Sequence, residues 1–214
     1  MDNASRSERT RNAALEAALT VIARDGPARL TLDAIAREAG ISKGGLLHQF
    51  PTKHAVLKAL LDRQRAYFKD FTEKYIATMD PSVSQPSLAV QIATLRESAV
   101  KRHPVMFAIV GALAEEPDLL SANNEHDIAN QNAIKAEADD PQLALLRKAA
   151  AQGLALTAIF GMSTLSDRER AELFDRLLDD RQWRVFAQSA TPPKSAAPAK
   201  SGLPPKPPAK ARRR

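Results

Sequence analysis

TLDAIAREAGISKGGLLHQF, residues 31–50, reads as two short helices meeting at a tight turn. Leu32, Ile35, Ala36 and Ala39 recur at i, i+3, i+4 and i+7, the spacing of one buried helical face, and Thr31 stands where a side-chain oxygen caps a first turn. Gly40 ends that helix, because a residue without Cβ enters the left-handed region at little cost. Ile41 after it can drop an apolar side chain into the shared core. Ser42 is the next cap. From it runs a second helix whose Leu46 and Phe50 pack inward, with Gly44, Gly45 and His48 opposite them and Leu47 and Gln49 on the flanks. The pattern is a helix-turn-helix, a unit whose second helix lies in a DNA major groove with its outward face on the bases.

The flanking residues extend the same unit. Leu15, Ala18, Leu19 and Ile22 form a helical stripe that stops at Asp25-Gly26-Pro27, so three helices share one small core. Downstream, Phe50-Pro51-Thr52-Lys53 breaks the second helix and caps a much longer one. There Val56, Leu57, Leu60, Leu61, Phe68 and Phe71 keep helical spacing as far as about Met79. With these residues in place, Arg9 to about Leu61 resembles the DNA-binding domain of the tetracycline-repressor (TetR) family. That family's pattern has a glycine turn, a Ser-Lys-Gly start, a Leu, a Phe and a nearby Lys, matched here by Ala39-Gly40-Ile41-Ser42-Lys43-Gly44, Leu46, Phe50 and Lys53.

The resemblance implies that Lys43, Gly44, Gly45 and Gln49 face bases while Thr31, Ser42, His48 and Lys53 hold phosphates. Two departures narrow the reading surface. Leu47 stands where the family has an aromatic residue, most often Tyr; it either touches a thymine methyl or joins the core of a unit that has few apolar side chains to bury. Gly45 occupies the place of a polar reader, and His48-Gln49 replaces an aromatic-His pair. Base readout thus rests on few side chains.

Composition bounds the remaining possibilities. The chain has 214 residues, of which 44% are hydrophobic and 26% charged, enough for a packed core in one or two domains. It has no cysteine, which excludes disulfides, thiolate zinc sites and thiol redox sensing. Residues 1–11 lack the apolar stretch of a signal peptide, and no run approaches the about 18 apolar residues of a membrane span. A soluble, cytoplasmic bacterial protein, on the nucleoid when DNA-bound and without a membrane partner, is expected. The net charge of +6 hides three unlike segments: +3 over residues 1–58, −4 over 59–188 and +7 over 189–214. The last segment alternates Pro, Ala and Lys and finishes Arg212-Arg213-Arg214. Its prolines and low apolar content predict a disordered tail, either a solubilising extension or a nonspecific phosphate-binding arm.

Between helix-turn-helix and tail, prolines and polar clusters delimit further helices and no strand pattern occurs. Expected helices run from Ser87 to about Lys101, Pro104 to Ala114, Asp118 to Ala138, Pro141 to Gly161, and Ser166 to about Ala187. The last is opened by the capping box Ser166-Asp167-Arg168-Glu169. The fold is therefore all-α: a three-helix DNA-binding domain over 1–51, a helical effector-binding and dimerisation domain over 52–188, and the tail 189–214. By the same resemblance the final helix pair meets its two-fold mate in a four-helix bundle, through Leu146, Ala150, Leu154, Ala158, Phe174, Leu177 and Leu178; the alternative is internal core. Leu95, Met106, Phe107, Val110 and Phe160 are candidates to line an effector cavity, with His103, Asn124, Asn130 and Gln131 as polar contacts. The helix from Asp118 is more polar than a core helix, so it either lines a wet cavity or stands exposed.

Nothing points to catalysis, a metal or a cofactor. The four histidines have no metal-ligand spacing, and no phosphate-cradling loop or nucleophile elbow occurs. The expected function is a homodimeric repressor bound to a palindromic duplex operator and released by a small-molecule effector. An activator or dual regulator with the same head is the first alternative. A nonspecific DNA-coating protein driven by the tail is the second.

Overall fold

The computed structural model describes residues 3–100 and 118–189, and among these every regular element is helical. Helix α1 runs Asn3–Asp25, α2 Leu32–Ala39, α3 Lys43–Gln49, α4 Lys53–Thr78 and α5 Pro86–Val100. Beyond residue 117 follow α6 Asp118–Glu137, α7 Pro141–Ile159, α8 Asp167–Leu178 and α9 Asp180–Ser189. The expected helix Pro104–Ala114 and the tail from residue 190 lie outside the described residues.

Local chemistry sets the boundaries. Thr31, Ser42 and Thr52 each accept a hydrogen bond from the backbone N–H three residues on, at 3.0–3.1 Å, and so satisfy donors that the first turns of α2, α3 and α4 leave open. At the end of α2, Gly40 adopts φ 65° and its N–H reaches the Arg37 carbonyl, while the Ile41 N–H reaches that of Ala36. This paired closure needs a left-handed residue and turns Ile41 back against the core. Between α1 and α2, Gly26 at φ 83° leads into the single 3-10 turn Pro27–Arg29.

Two apolar cores result. The first joins Leu15, Ala18, Val21 and Ile22 of α1 with Leu30, Ile35 and Ala36, with Leu46 and Phe50, and with Val56, Leu57, Leu60 and Leu61 of α4. It thus runs past residue 51 into the first two turns of α4. The remainder of that helix, about 39 Å long in all at 1.5 Å per residue, continues towards α5, where the Tyr67 hydroxyl donates to the Glu97 carboxylate. The second core gathers Leu88 and Ile92 of α5, Ile134 of α6, Ala144, Ala151 and Ala155 of α7, and Phe174 and Leu177 of α8.

The helix expected from Ser166 to Ala187 is two helices. It opens as expected, with the Ser166–Glu169 capping box formed in both directions, but it stops at Leu178 and restarts at Asp180. Arg147 of α7, almost fully buried, is the cause. Its Nη2 and Nε donate to the Leu177 carbonyl at 2.7 and 3.2 Å, and its Nη1 donates to the Asp180 carboxylate at 2.7 Å. The Trp183 indole N–H takes the Arg176 carbonyl at 2.8 Å. Carbonyls that a continuous helix would have used internally are satisfied from outside, so the chain turns there.

Candidate nucleic-acid interface

Helix α3 is held from beneath. Leu46 and Phe50 are 0% and 1% exposed, so the seven-residue helix has one rotational setting on the first core. The Arg11 guanidinium lies 4.6 Å above the Phe50 ring, tying α1 to the end of α3. Opposite these anchors, Lys43, Gly44, Leu47 and His48 are exposed. Leu47 is 40% exposed, so it does not join the buried core.

The other expected contact residues flank this face. Thr31 and Ser42 are exposed but their oxygens are engaged as caps, so any phosphate contact there shares an acceptor already in use. Lys53 opens α4 and is half-buried. Gly44 has nothing within 4 Å of where a Cβ would stand, whereas a Cβ on Gly45 would come 3.2 Å from the Ser42 hydroxyl. Among the described residues nothing therefore calls for a glycine at position 44, although a helical glycine costs about 0.5–1 kcal/mol relative to alanine.

Two polar contacts on this face have no counterpart in the sequence reading. Lys43 Nζ sits 2.9 Å from Asp33 Oδ1, bridging the first turns of α2 and α3. Gln49 Nε2 donates to Ser7 Oγ at 2.8 Å, bringing the start of α1 to the end of α3. Away from the face, Arg24 pairs with Glu38 at 2.8 Å and Arg63 with Glu16 at 2.6 Å. Arg24 is held well above its ordinary pKa, chiefly by hydrogen bonds to Asp25 and Glu38.

The effector candidates are only partly placed. Leu95 is half-buried against the second core, Asn130 donates to Gln91 on α5, and Gln131 and Phe160 are half-buried. His103, Met106, Phe107 and Val110 lie outside the described residues, as does the side chain of Asn124. A groove of about 730 Å³ lies between α7 and α8, lined by Ala150, Gly153, Leu154, Leu173, Leu177 and Trp183 among others. None of the placed effector candidates lines it. Of the seven residues expected at a dimer face, Ala158, Phe174 and Leu177 are at most 6% exposed and belong to the chain's own core. Helical spacing groups residues on one face without saying which neighbour that face meets. Leu146 and Ala150 point outward, while Leu154 and Leu178 are half-buried.

Among the described residues no group of three or more metal-ligating side chains occurs, and no helix is long and apolar enough to cross a membrane. The comparisons with known proteins fall on the same two halves. Residues 14–60 match the model of bacterial regulatory proteins of the tetR family, and residues 85–180 that of the tetracyclin repressor-like C-terminal domain. Both describe regulators rather than enzymes. Among curated proteins, the DNA-binding transcriptional repressor TetR of Mycobacteroides abscessus is 33% identical over 135 residues, 63% of each chain. The HTH-type transcriptional regulator SrpR of Pseudomonas putida is 41% identical over 70 residues, 32% of this chain and 33% of its own. The chain thus spans under two-thirds of the length of either relative. Among solved structures, a transcriptional regulator from Saccharomonospora viridis, in complex with choline, superposes with a TM-score of 0.62 at 21% identity. That match covers 81% of this chain and 97% of that one, and shows a shared fold.

Proposed function

Because the chain belongs to the tetracycline-repressor family of bacterial regulators, we propose that it is a sequence-specific DNA-binding repressor, dimeric on a palindromic operator and released from it by a small molecule. The observation that carries the reading is the setting of α3. Leu46 and Phe50 lock one side of the helix into the core, while Lys43, Gly44, Leu47 and His48 stand together on the other, which suits a helix that enters a major groove. Lys43 and Gln49 supply the hydrogen-bonding groups, and Leu47 supplies an apolar surface for a thymine methyl.

The dimer and the effector rest on the second domain. Leu146, Ala150, Gly153 and Leu156 leave an exposed apolar strip on α7, and the groove beside it needs a cover of the kind a second copy provides. The effector site is assigned to the side of the second domain formed by α5 and α6; the S. viridis regulator of the same fold is in complex with choline, a small molecule. Binding there would shift α4, which reaches from the second domain into the core beneath α3. The protein would act in the cytoplasm, where its operator is.

Selection of bound duplexes from a random library by the full chain tests the reading. A recovered palindrome with half-sites about one helical turn apart is the expected outcome. Recovery of no preferred sequence would overturn it.

A further inference from the structure

Lys43 offers its ammonium to both oxygens of Asp33, at 2.9 and 3.1 Å. The two side chains are 58% and 70% exposed, and an ion pair in that setting contributes about 0–1 kcal/mol to stability. The fold has little need of it: α2 is already capped by Thr31 and anchored by Ile35 and Ala36. A weak pair in water is, however, easily exchanged for another anion, and this one lies on the face where DNA phosphates arrive. Resting on the DNA-binding reading above, we propose that Asp33 is a positioning and specificity-determining residue. It holds Lys43 in the free protein and makes the reading face a poor binder of DNA it does not recognise.

A phosphate that takes Lys43 leaves the Asp33 carboxylate unneutralised beside the phosphate chain, where water is thinned and repulsion is larger than in bulk solvent. Binding through phosphates alone therefore carries a penalty at every site on the duplex. A recognised sequence relieves it in one of two ways. The carboxylate accepts from a cytosine N4 amine, or it stays on Lys43 while the remaining ammonium hydrogens meet a guanine edge. The far end of α3 follows the same design, since Gln49 is held by Ser7. Both polar side chains on which base reading rests are engaged by the protein's own groups in the free protein.

The test uses the full chain with Asp33→Asn, Asp33→Glu, Lys43→Ala and the double variant Asp33→Asn/Lys43→Ala, titrated with a random duplex and with the duplex selected by the wild type across a range of salt. Asp33→Asn should tighten random-duplex binding by about three- to tenfold at low salt. It should also steepen the salt dependence by about 0.9 for one additional phosphate neutralised. The selected duplex should gain less, so discrimination falls, while Asp33→Glu behaves as the wild type. In the Lys43→Ala background, Asp33→Asn should lose most of its effect. Unchanged or weaker random-duplex binding by Asp33→Asn, or the same gain with and without Lys43, would overturn the proposal. If Asp33→Asn fails to fold, Asp33→Ser gives the same readout. A wild-type chain that selects no sequence overturns the DNA reading as well; one that discriminates while Asp33→Asn matches it overturns the role of Asp33 alone.

Discussion

Gly40 and Gly44 stand four residues apart and carry opposite obligations. At φ 65° Gly40 is in the region that a Cβ disfavours, so Gly40→Ala should lose about 1–2 kcal/mol and lower the melting temperature. Gly44 is helical and open, so Gly44→Ala should raise stability by about 0.5–1 kcal/mol. In the same variant, operator binding should weaken if the DNA backbone comes as close to α3 as the bare position allows. Melting and DNA titration of Gly44→Ala together check this; improvement in both would remove the close approach. Gln49→Ala should lower operator affinity by about 1–3 kcal/mol more than random-DNA affinity. Lys53→Ala should weaken both alike.

At the scale of helices, the part of the sequence written in local spacing was readable and the part written in distant partners was not. Caps at Thr31, Ser42, Thr52 and Ser166 and the Gly40 closure follow from neighbours within one turn, and the apolar stripes that meet in the first core follow from helical spacing. The break between α8 and α9 depends on Arg147, thirty positions from the carbonyl it takes, and the only local hint was the pair Asp179-Asp180 at a possible helix start. The Asp33–Lys43 and Ser7–Gln49 contacts were invisible for the same reason, since exposed polar residues carry no period. The exposed face of α3, by contrast, was legible at Lys43, Gly44 and His48 because Leu46 and Phe50 fix its inward side, while Gly45 and Gln49 are half-buried.

Arg147 makes the break testable. Arg147→Met leaves the Leu177 carbonyl without its side-chain donor and the Asp180 carboxylate with Ser84 but no cation, and should cost on the order of 2–4 kcal/mol by denaturant unfolding. The loss depends on pH. Burial alone would raise the Asp180 carboxyl, but hydrogen bonds from Ser84 and Arg147 outweigh it and hold the group below its ordinary range. A depressed acid stabilises the fold above its unfolded pKa of about 3.9 and loses that contribution as pH falls through the lower folded value. The gap between wild type and Arg147→Met should therefore narrow from pH 7 to pH 3. A gap that widens would contradict the ion pair.

For the whole molecule, charge is distributed so that sequence reading and bulk attraction can be separated. Residues 189–214 carry +7 of a total of +6, so deleting them leaves a chain of −1. That truncation should keep the fold and the dimer, reduce nonspecific affinity and its salt slope, and preserve discrimination between operator and random DNA. Sedimentation should find a dimer at micromolar concentration, with the two copies of α3 about 34–36 Å apart to meet successive major grooves. Base reading by α3 can be measured by titrating wild type and Gln49→Ala with the selected operator and a scrambled duplex of equal length at one fixed salt concentration. The wild type should prefer the operator by about a thousandfold or more, and Gln49→Ala should reduce that preference sharply. Equal affinity of the wild type for both duplexes, or a preference untouched by Gln49→Ala, would contradict base reading by α3.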